Sequence, residues 1–317
     1  MKKALVYSSK GLGDGLIFLV ISNNLSKNGY KVDTFHPFLS ELDSWFKYTE
    51  IKPYPEIESN FEFLNEYDLI IINSDYNEQN KLLVNHAKNN HLEKTYELHP
   101  SACKGRNLPK GDLKFNPELT VKENLAIFCE NDLNLTNVFF SNDITIPSHL
   151  KHRRFKKRIA LHPTSKNIDR NWPKEKFLKL AKKLKKAGYE PSFILAPHEK
   201  DYFGSTIDID IPNFNNLEEM SSFIHESGFF IGNDSGVAHL ASSLKTPTLT
   251  IFSTKRKQKF WKPSFHIDET VVSWPLLNIK GLRLREKYWK KTISVKRVLK
   301  GFDSLIKKNE NYESSDI

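Results

Sequence analysis

Cysteine and long apolar runs are both scarce in this sequence. The two cysteines, Cys103 and Cys129, do not have the spacing of metal ligands. Their scarcity argues against a disulfide framework and against a structural zinc site, and it favours a reducing compartment. No segment approaches the run of about 18 apolar residues that a membrane-spanning helix requires. The apolar stretch over residues 4–7 is too short for the core of a signal peptide. We therefore expect a cytoplasmic protein that contacts a membrane at its surface at most.

Charge is distributed unevenly along the chain. Residues 1–150 contain 15 Lys and Arg against 20 Asp and Glu, whereas residues 151–317 contain 33 against 18. A basic second half predicts an anionic partner, which is a nucleotide or nucleotide-sugar, a phospholipid surface or a nucleic acid. Lysines on solvated helix faces account for part of the excess. Because no recognised nucleic-acid-binding motif is present, nucleic acid is the least favoured of these partners.

The hydrophobic pattern is typical of strands that alternate with helices, which indicates a parallel sheet in each half of the chain. In the first half, strands are predicted over residues 4–7, 31–35 and 68–73, with helices over 16–27 and between 81 and 148. A basic segment over residues 151–158 marks a domain boundary, after which the pattern restarts.

In the second half, strands are predicted over residues 159–162, 191–196 and 229–232, with helices over 174–186 and 217–227. A last amphipathic helix spans 295–308, and the polar tail 309–317 is expected to be disordered. The chain therefore divides into an α/β domain over 1–150 and a second α/β domain over 151–294, with a cleft between them.

The most informative segment follows the strand pattern that ends at Gly232. The sequence Gly-Asn-Asp-Ser-Gly over residues 232–236 falls where a parallel α/β sheet places its ligands. Ser235 and His239 are four residues apart, so they share one face of the following helix, near its positive end. The free backbone amides there suit a diphosphate. The same residues also suit a plain helix N-cap, and His239 alone also suits a packed helix histidine.

A glycine-rich turn over residues 10–15 follows the first predicted strand and lets a ligand approach the backbone closely. Asp33 follows at a spacing that suits an acid binding a ribose, which favours a dinucleotide or S-adenosylmethionine site. Against that interpretation, Leu16 stands where a third small residue is needed, and Asp14 would repel a diphosphate. A carboxylate exposed at a strand tip is instead suited to general-base catalysis. Capping of the helix is the alternative role for Asp14.

A third polar segment opens the second half. Thr164, Ser165 and Arg170 lie in a loop after a strand and just before a helix, where hydroxyls and a guanidinium suit a phosphate. The sequence Asp-Ile-Asp over residues 208–210 has the form used by metal-dependent transferases. It lies in a polar connection, so we interpret it as surface and expect no metal site.

Together these segments resemble the heptosyltransferase family of glycosyltransferases, which build the inner core of bacterial lipopolysaccharide. Gly13-Asp14 looks like the Gly-Asp turn of that family, and residues 162–173 look like its diphosphate-binding segment. Residues 232–241, followed by Thr246-Pro247, look like its most diagnostic motif.

The resemblance implies a GT-B architecture, in which two Rossmann-like domains face each other, the first binding the acceptor and the second the nucleotide-sugar. In such proteins the last helix often packs back on the first domain. The resemblance also implies an inverting transfer in which Asp14 is the general base, beside an acceptor-side turn formed by Lys10, Gly11 and Gly13. The donor-binding roles fall on Thr164, Ser165, Arg170, Asp234, Ser235, Gly236 and His239. ADP-heptose is the expected donor substrate and a lipopolysaccharide-core glycolipid the expected acceptor, with neither a cofactor nor a metal.

The sequence departs from the family at several points, and other functions stay open. Ser253-Thr254 and a basic run over residues 255–259 stand where the family has Gly-Pro-Thr, and the first half is acidic although the acceptor is anionic. The main alternative is a Rossmann-type methyltransferase or dehydrogenase that uses the turn Gly11–Gly15 and binds its cofactor with residues 1–150 alone. A module that binds nucleic acid or anionic membrane ranks last. Residues 255–262 and 287–291 are the candidates for contact with anionic lipid.

Overall fold

The chain folds into two units, Met1–Thr145 and Ile146–Ile317. The boundary lies next to the basic segment that was expected to begin the second domain. A computed structural model describes residues 1–56, 61–75, 77–100, 113–165, 168–196, 199, 208–274 and 284–315. Cys103 and the loop residues Lys166 and Asn167 lie outside the described residues.

The first unit is a parallel α/β sheet. Its strands in the described residues are β1 (Lys3–Tyr7), β2 (Lys31–Phe35), β3 (Glu50–Lys52), β4 (Leu69–Asn73), β5 (Thr95–His99) and β6 (Leu113–Lys114). Its helices are α1 (Leu12–Lys27), α2 (Glu78–Asn90) and α3 (Val121–Asn131). The strand order is β3-β2-β1-β4-β5-β6, and each pair is parallel. The central strands β1 and β4 are almost wholly apolar because helices and loops cover both faces of such a sheet.

Helix α1 is buried along most of its length, and asparagines attach an irregular segment to it. The side chain of Asn24 donates to the Phe139 carbonyl at 2.8 Å and accepts from the Phe139 amide at 2.7 Å. Asn23 donates to the Ser141 carbonyl at 2.9 Å. These side chains satisfy backbone groups that have no strand partner, so the segment can lie against α1 without regular secondary structure.

The second unit is also a parallel α/β sheet. Its strands are β7 (Phe155–His162), β8 (Glu190–Phe193), β9 (Ser227–Asn233), β10 (Thr248–Phe252) and β11 (Asp268–Val272). Its helices in the described residues are α4 (Lys174–Lys186), α5 (Leu217–Glu226), α6 (Gly236–Ser243), α7 (Lys255–Trp261), α8 (Leu284–Thr292) and α9 (Val295–Ser315). The order is β11-β10-β9-β7-β8, all parallel, so the carboxyl ends of β7, β9 and β10 meet at one edge.

The last helix is longer than predicted. The apolar face of α9, with Val298, Phe302 and Leu305, packs into the core of the second unit. It also continues to Ser315, so the prediction of a disordered tail is wrong for residues 309–315.

The end of α9 is held by one buried guanidinium. Arg153 donates to Asn309 Oδ1 at 2.9 Å and forms an ion pair with Glu313. Its guanidinium also lies over the ring of Phe229, 5.0 Å from the centroid. These contacts explain why polar residues beyond the amphipathic stretch remain helical.

Among the described residues, no helix is both long enough and apolar enough to cross a bilayer.

Candidate functional site

The turn between β9 and α6 carries the most informative sequence motif. Ser235 is the N-cap residue of α6, with extended backbone angles, but its side chain makes no capping hydrogen bond. Its Oγ instead lies 3.2 Å from His162 Nδ1, at the end of β7. Asp234, Ser235 and Gly236 are half-buried. A plain N-cap does not account for this hydroxyl, because the side chain faces the neighbouring strand rather than the helix amides.

Gly232 allows β9 and β7 to approach each other closely at this point. A Cβ added there would lie 2.8 Å from the Phe230 ring and 3.1 Å from the His162 carbonyl oxygen. Any larger residue would therefore separate the two strand ends that bring the motifs together.

His162 lies between two hydroxyl groups. In addition to its Nδ1 contact with Ser235, its Nε2 lies 3.3 Å from Thr164 Oγ1. The side chain is buried, and desolvation lowers its pKa to about 4. The imidazole is therefore neutral at pH 7, with one donor and one acceptor nitrogen. One hydroxyl must donate to the ring while the other accepts from it, which leaves the second hydroxyl's proton available for another acceptor. From the sequence, His162 was noted only as part of a motif, and its position between two hydroxyls was not predicted.

Asn233 joins the two donor-side segments through its amide. Its Oδ1 accepts from the Trp172 amide at 3.0 Å, and its Nδ2 donates to the Pro163 carbonyl at 2.6 Å. Ser165 Oγ in turn donates to Asn171 Oδ1 at 2.5 Å. Asn233 is fully buried. The loop after β7 is therefore tied to the end of β9, which is a second contribution that sequence reasoning missed.

The same loop is held on another side by residues at the end of α8. Trp172 Nε1 donates to the Ile293 carbonyl at 3.0 Å, and Trp289 Nε1 donates to the Asp169 carbonyl at 3.3 Å. Lys176 Nζ also donates to the Ile293 carbonyl, at 2.8 Å. Loop positions near the predicted phosphate site are thus fixed by tertiary hydrogen bonds.

The remaining donor-side candidates lie in the loop after β7 or on α6. Thr164 and His239 are each 5% exposed, and burial lowers the pKa of His239 to about 4, so its ring is neutral at pH 7. Ser165 is half-buried. Arg170 ends a short 3₁₀ segment, Ile168–Arg170, and its side chain lies outside the described part of the chain.

In the first unit, the predicted glycine turn is the first turn of a helix. Helix α1 begins at Leu12 rather than at residue 16, because Gly11 is its N-cap and Gly15 N donates to the Gly11 carbonyl at 2.9 Å. Asp14 is therefore half-buried in a helical turn, which corrects the expectation of an exposed carboxylate at a strand tip. A Cβ on Gly11 would lie 2.1 Å from Asp14 Oδ2, so the carboxylate lies directly against this glycine. Gly13 is buried, and Lys10 is exposed.

Asp33 is occupied by an ionic network of the first unit. Its Oδ2 accepts from Tyr67 Oη at 2.6 Å and from Lys52 Nζ at 3.0 Å, and Lys3 Nζ lies 3.2 Å away. Burial alone would raise the pKa of Asp33, but these hydrogen bonds outweigh it and hold the pKa below its usual value. A side chain that is fully buried and paired in this way is not presented to a ribose, which argues against the dinucleotide interpretation.

The Asp-Ile-Asp segment is peripheral. Asp208 is 92% exposed and pairs with Lys185 at 2.9 Å. Over the parts of the chain that the structure describes, no group of three or more His, Cys, Asp or Glu side chains is arranged to hold a metal ion.

Comparison with known proteins decides the family. The model of glycosyltransferase family 9 (heptosyltransferase) matches residues 77–276. The chain belongs to this family. Lipopolysaccharide heptosyltransferase 3 of Escherichia coli (strain K12) is 25% identical to this family 9 chain over 116 residues. That match spans about a third of the curated relative's length, since it covers 33% of each sequence.

Solved structures agree with this family 9 assignment in fold. A glycosyl transferase of family 9 from Veillonella parvula has a TM-score of 0.75 at 16% identity, over 97% of this chain and 98% of its own. An Escherichia coli heptosyltransferase determined with ADP has a TM-score of 0.68 at 14% identity, over 96% and 99%. At such identities the likeness concerns the fold alone, and it confirms the predicted GT-B class of two parallel-sheet α/β units.

Proposed function

We propose that this glycosyltransferase is an inverting heptosyltransferase, which moves heptose from ADP-heptose to a lipopolysaccharide inner-core or related glycan acceptor. The observation that carries the proposal is the pair of hydroxyls, Thr164 and Ser235, on either side of the imidazole of His162, which is buried at the end of β7. Solved relatives that contain ADP and an ADP-2-deoxy-2-fluoro heptose support the choice of donor.

In the proposed reaction, the second unit binds the donor diphosphate. The amides at the start of α6 and the hydroxyls of Thr164 and Ser235 donate hydrogen bonds to phosphate oxygens, and the Arg170 guanidinium neutralises part of their charge. Asp234 and His239 contact the donor sugar and phosphates. Because His162 is neutral and buried, it orients the hydroxyls without adding a charge.

The first unit supplies the base. The Asp14 carboxylate takes the proton of an acceptor hydroxyl, and the acceptor oxygen attacks the anomeric carbon on the face opposite the diphosphate. The bond between this carbon and the diphosphate oxygen breaks as the new glycosidic bond forms, so the configuration inverts. ADP leaves with the negative charge, which the amides and hydroxyls of the second unit stabilise without a metal.

The acceptor of such a reaction is a glycolipid, so we propose that the protein works at the cytoplasmic face of a membrane. Some of the basic residues predicted to contact anionic lipid form ion pairs or hydrogen bonds within the second unit. Lys262 pairs with Asp268 at 2.9 Å, and Lys290 Nζ donates to the Ile168 carbonyl at 3.2 Å. Sedimentation with vesicles tests this contact. Binding that does not depend on the content of anionic lipid would contradict the proposal that these residues contact anionic lipid.

The donor assignment is tested by thermal shift with ADP, ADP-heptose, UDP, NAD and S-adenosylmethionine. A ligand that binds the folded state raises its melting temperature by mass action. We expect a shift with ADP and ADP-heptose that Asp234→Ala removes and Asp14→Asn retains. Asp208→Ala, which changes an exposed aspartate of the same unit, is the control and should behave as wild type.

A shift with NAD or S-adenosylmethionine alone would overturn the transferase assignment and favour the alternative. With an acceptor in hand, Asp14→Asn should abolish transfer while ADP-heptose still binds. Transfer by Asp14→Asn at the wild-type rate would remove the base assignment.

A further inference from the structure

The turn that carries Asp14 lacks the usual device for fixing the start of a helix. Its N-cap is Gly11, which has no side chain to accept from the first amides of α1. The turn nevertheless has a defined backbone, since Gly15 N donates to the Gly11 carbonyl at 2.9 Å. A second group also forms a hydrogen bond with this carbonyl.

That group is the imidazole of His36, directly after β2. Its Nδ1 accepts from the amides of Phe38 and Leu39, both at 3.1 Å. Because Nδ1 is an acceptor, Nε2 carries the proton, and it donates to the Gly11 carbonyl at 3.1 Å. The tautomer is therefore fixed by the two amides.

The ring of His36 also packs against the other end of the turn. A Cβ on Gly15 would lie 2.5 Å from Cδ2 of His36 and 2.8 Å from Cδ1 of Leu39. The imidazole thus contacts the first residue of the turn by a hydrogen bond and the last by van der Waals packing. Asp14 lies between these two glycines in sequence, and its carboxylate lies against Gly11.

His36 is itself held rigidly and carries no charge at neutral pH. Its backbone amide donates to the Lys52 carbonyl at 2.9 Å, next to the end of β3. Its side chain is fully buried, and desolvation lowers its pKa to about 4. It is therefore a fixed neutral donor rather than a proton carrier.

We propose that His36 is a positioning residue, which sets the direction of the Asp14 carboxylate by clamping Gly11 and Gly15. This inference rests on the proposed function, in which Asp14 is the base. Because small displacements of a catalytic group reduce the rate steeply, loss of the clamp lowers kcat rather than donor binding.

The test compares His36→Leu, which has no hydrogen-bonding group, with His36→Gln, whose amide can still donate to the Gly11 carbonyl. His91→Leu is the control, because His91 is another buried histidine of the same unit, although a less deeply buried one, directly after α2. The first measurement is hydrogen exchange at the Gly15 amide, which needs no acceptor. We expect exchange in His36→Leu to be about tenfold faster, as for the loss of a hydrogen bond, and exchange in His36→Gln and His91→Leu to stay near wild type.

The second measurement is heptose transfer from ADP-heptose to lipopolysaccharide truncated before its heptose. We expect kcat of His36→Leu to fall by about 10- to 100-fold, with KM for ADP-heptose unchanged and with recovery in His36→Gln. Unchanged Gly15 exchange in His36→Leu would overturn the clamp, whether or not transfer is seen. Unchanged kcat in His36→Leu, with Asp14→Asn inactive, would overturn the positioning role. Heptose transfer by Asp14→Asn would instead overturn the assignment of Asp14 as the base. The hydrogen exchange of the Gly15 amide would still show whether His36 clamps the turn.

Discussion

Ser235 Oγ lies 3.2 Å from His162 Nδ1, although the two residues are 73 positions apart in the chain. The contact is produced by the parallel pairing of β7 with β9, which places His162 beside Gly232. It joins two polar segments that are each unremarkable alone, a loop after a strand and the start of a helix. Together the two segments place the hydroxyls of Ser235 and Thr164 within hydrogen-bonding distance of one imidazole.

The first prediction concerns this imidazole. His162→Phe retains a ring of similar size but removes both nitrogens, so Thr164 and Ser235 lose the group that orients them. We expect the affinity for ADP, measured by calorimetry, to fall by about tenfold, as one misdirected hydrogen bond would cause.

His225→Phe is the matched control, because His225 is equally buried in the same unit and bonds the Leu244 carbonyl at 3.1 Å, at the opposite end of α6 from Ser235. Wild-type ADP affinity in His162→Phe would contradict the orienting role.

The second prediction concerns pH. His162 has a pKa of about 4 in the folded protein against 6.5 for the unperturbed group. Between these values the unfolded chain binds more protons than the folded one, so the free energy of unfolding falls as pH decreases through this window. The loss is complete below the folded pKa. His36 and His239, also near 4, contribute in the same direction.

Denaturant unfolding of wild type and His162→Phe at pH 7 and pH 5 isolates the contribution of this histidine, since the carboxylates titrate in both proteins. We expect wild type to lose more stability than the variant between the two values. An equal loss would mean that His162 is not buried in its neutral form.

The third prediction concerns Asn233. Asn233→Ala leaves the Trp172 amide and the Pro163 carbonyl without their partner in a buried place. We expect a loss of about 1–3 kcal/mol in the free energy of unfolding per group left unsatisfied, measured by urea denaturation. ADP affinity should also fall at temperatures where the variant is folded, because the loop that carries Thr164 and Ser165 is released.

Asn90→Ala provides the comparison, since this exposed side chain bonds a carbonyl of its own helix, His86 O at 3.0 Å. If Asn233→Ala were as stable as Asn90→Ala, the bridge between the two segments would have no energetic weight.

Helices and strands were predicted well from local sequence where the apolar residues have a regular spacing and where clear start and stop residues flank them. Helix α4 has its predicted bounds, Lys174–Lys186, because apolar residues recur at helical spacing between Pro173 and Gly188. Gly188 has a φ of +84°, as a helix-ending glycine requires. Helix α7 was not predicted, because its basic sequence has no apolar period. It forms where Thr254 Oγ1 accepts from the Lys257 amide and caps it.

Tertiary contacts decided what local sequence could not. Glycines at 11, 13 and 15 favour a loop by propensity, yet α1 begins there because His36 and Leu39 pack against Gly15. The polar residues of the donor motifs were predicted from their types, whereas the contacts of His162 and Asn233 were not. A buried histidine or asparagine at a strand end gives no sign in sequence of the partner across the sheet. Likewise, the apolar face of α9 was evident, but not the surface that it covers.

The last prediction separates the two functional interpretations through Asp33. Asp33→Asn removes the charge that pairs with Lys52 and Lys3, so the first unit should be less stable near neutral pH. Because the folded pKa of Asp33 is lowered, this contribution is present above the unfolded pKa and is lost as pH falls through the folded value. The melting temperatures of variant and wild type should therefore converge in acid.

ADP binding in Asp33→Asn should be unchanged, since the proposed donor contacts lie in the second unit. Exposed Asp68, one position before β4, gives the matched control as Asp68→Asn. Weaker binding of NAD or S-adenosylmethionine in Asp33→Asn, in a chain that binds either one, would instead make Asp33 a ribose ligand and return the function to the first unit.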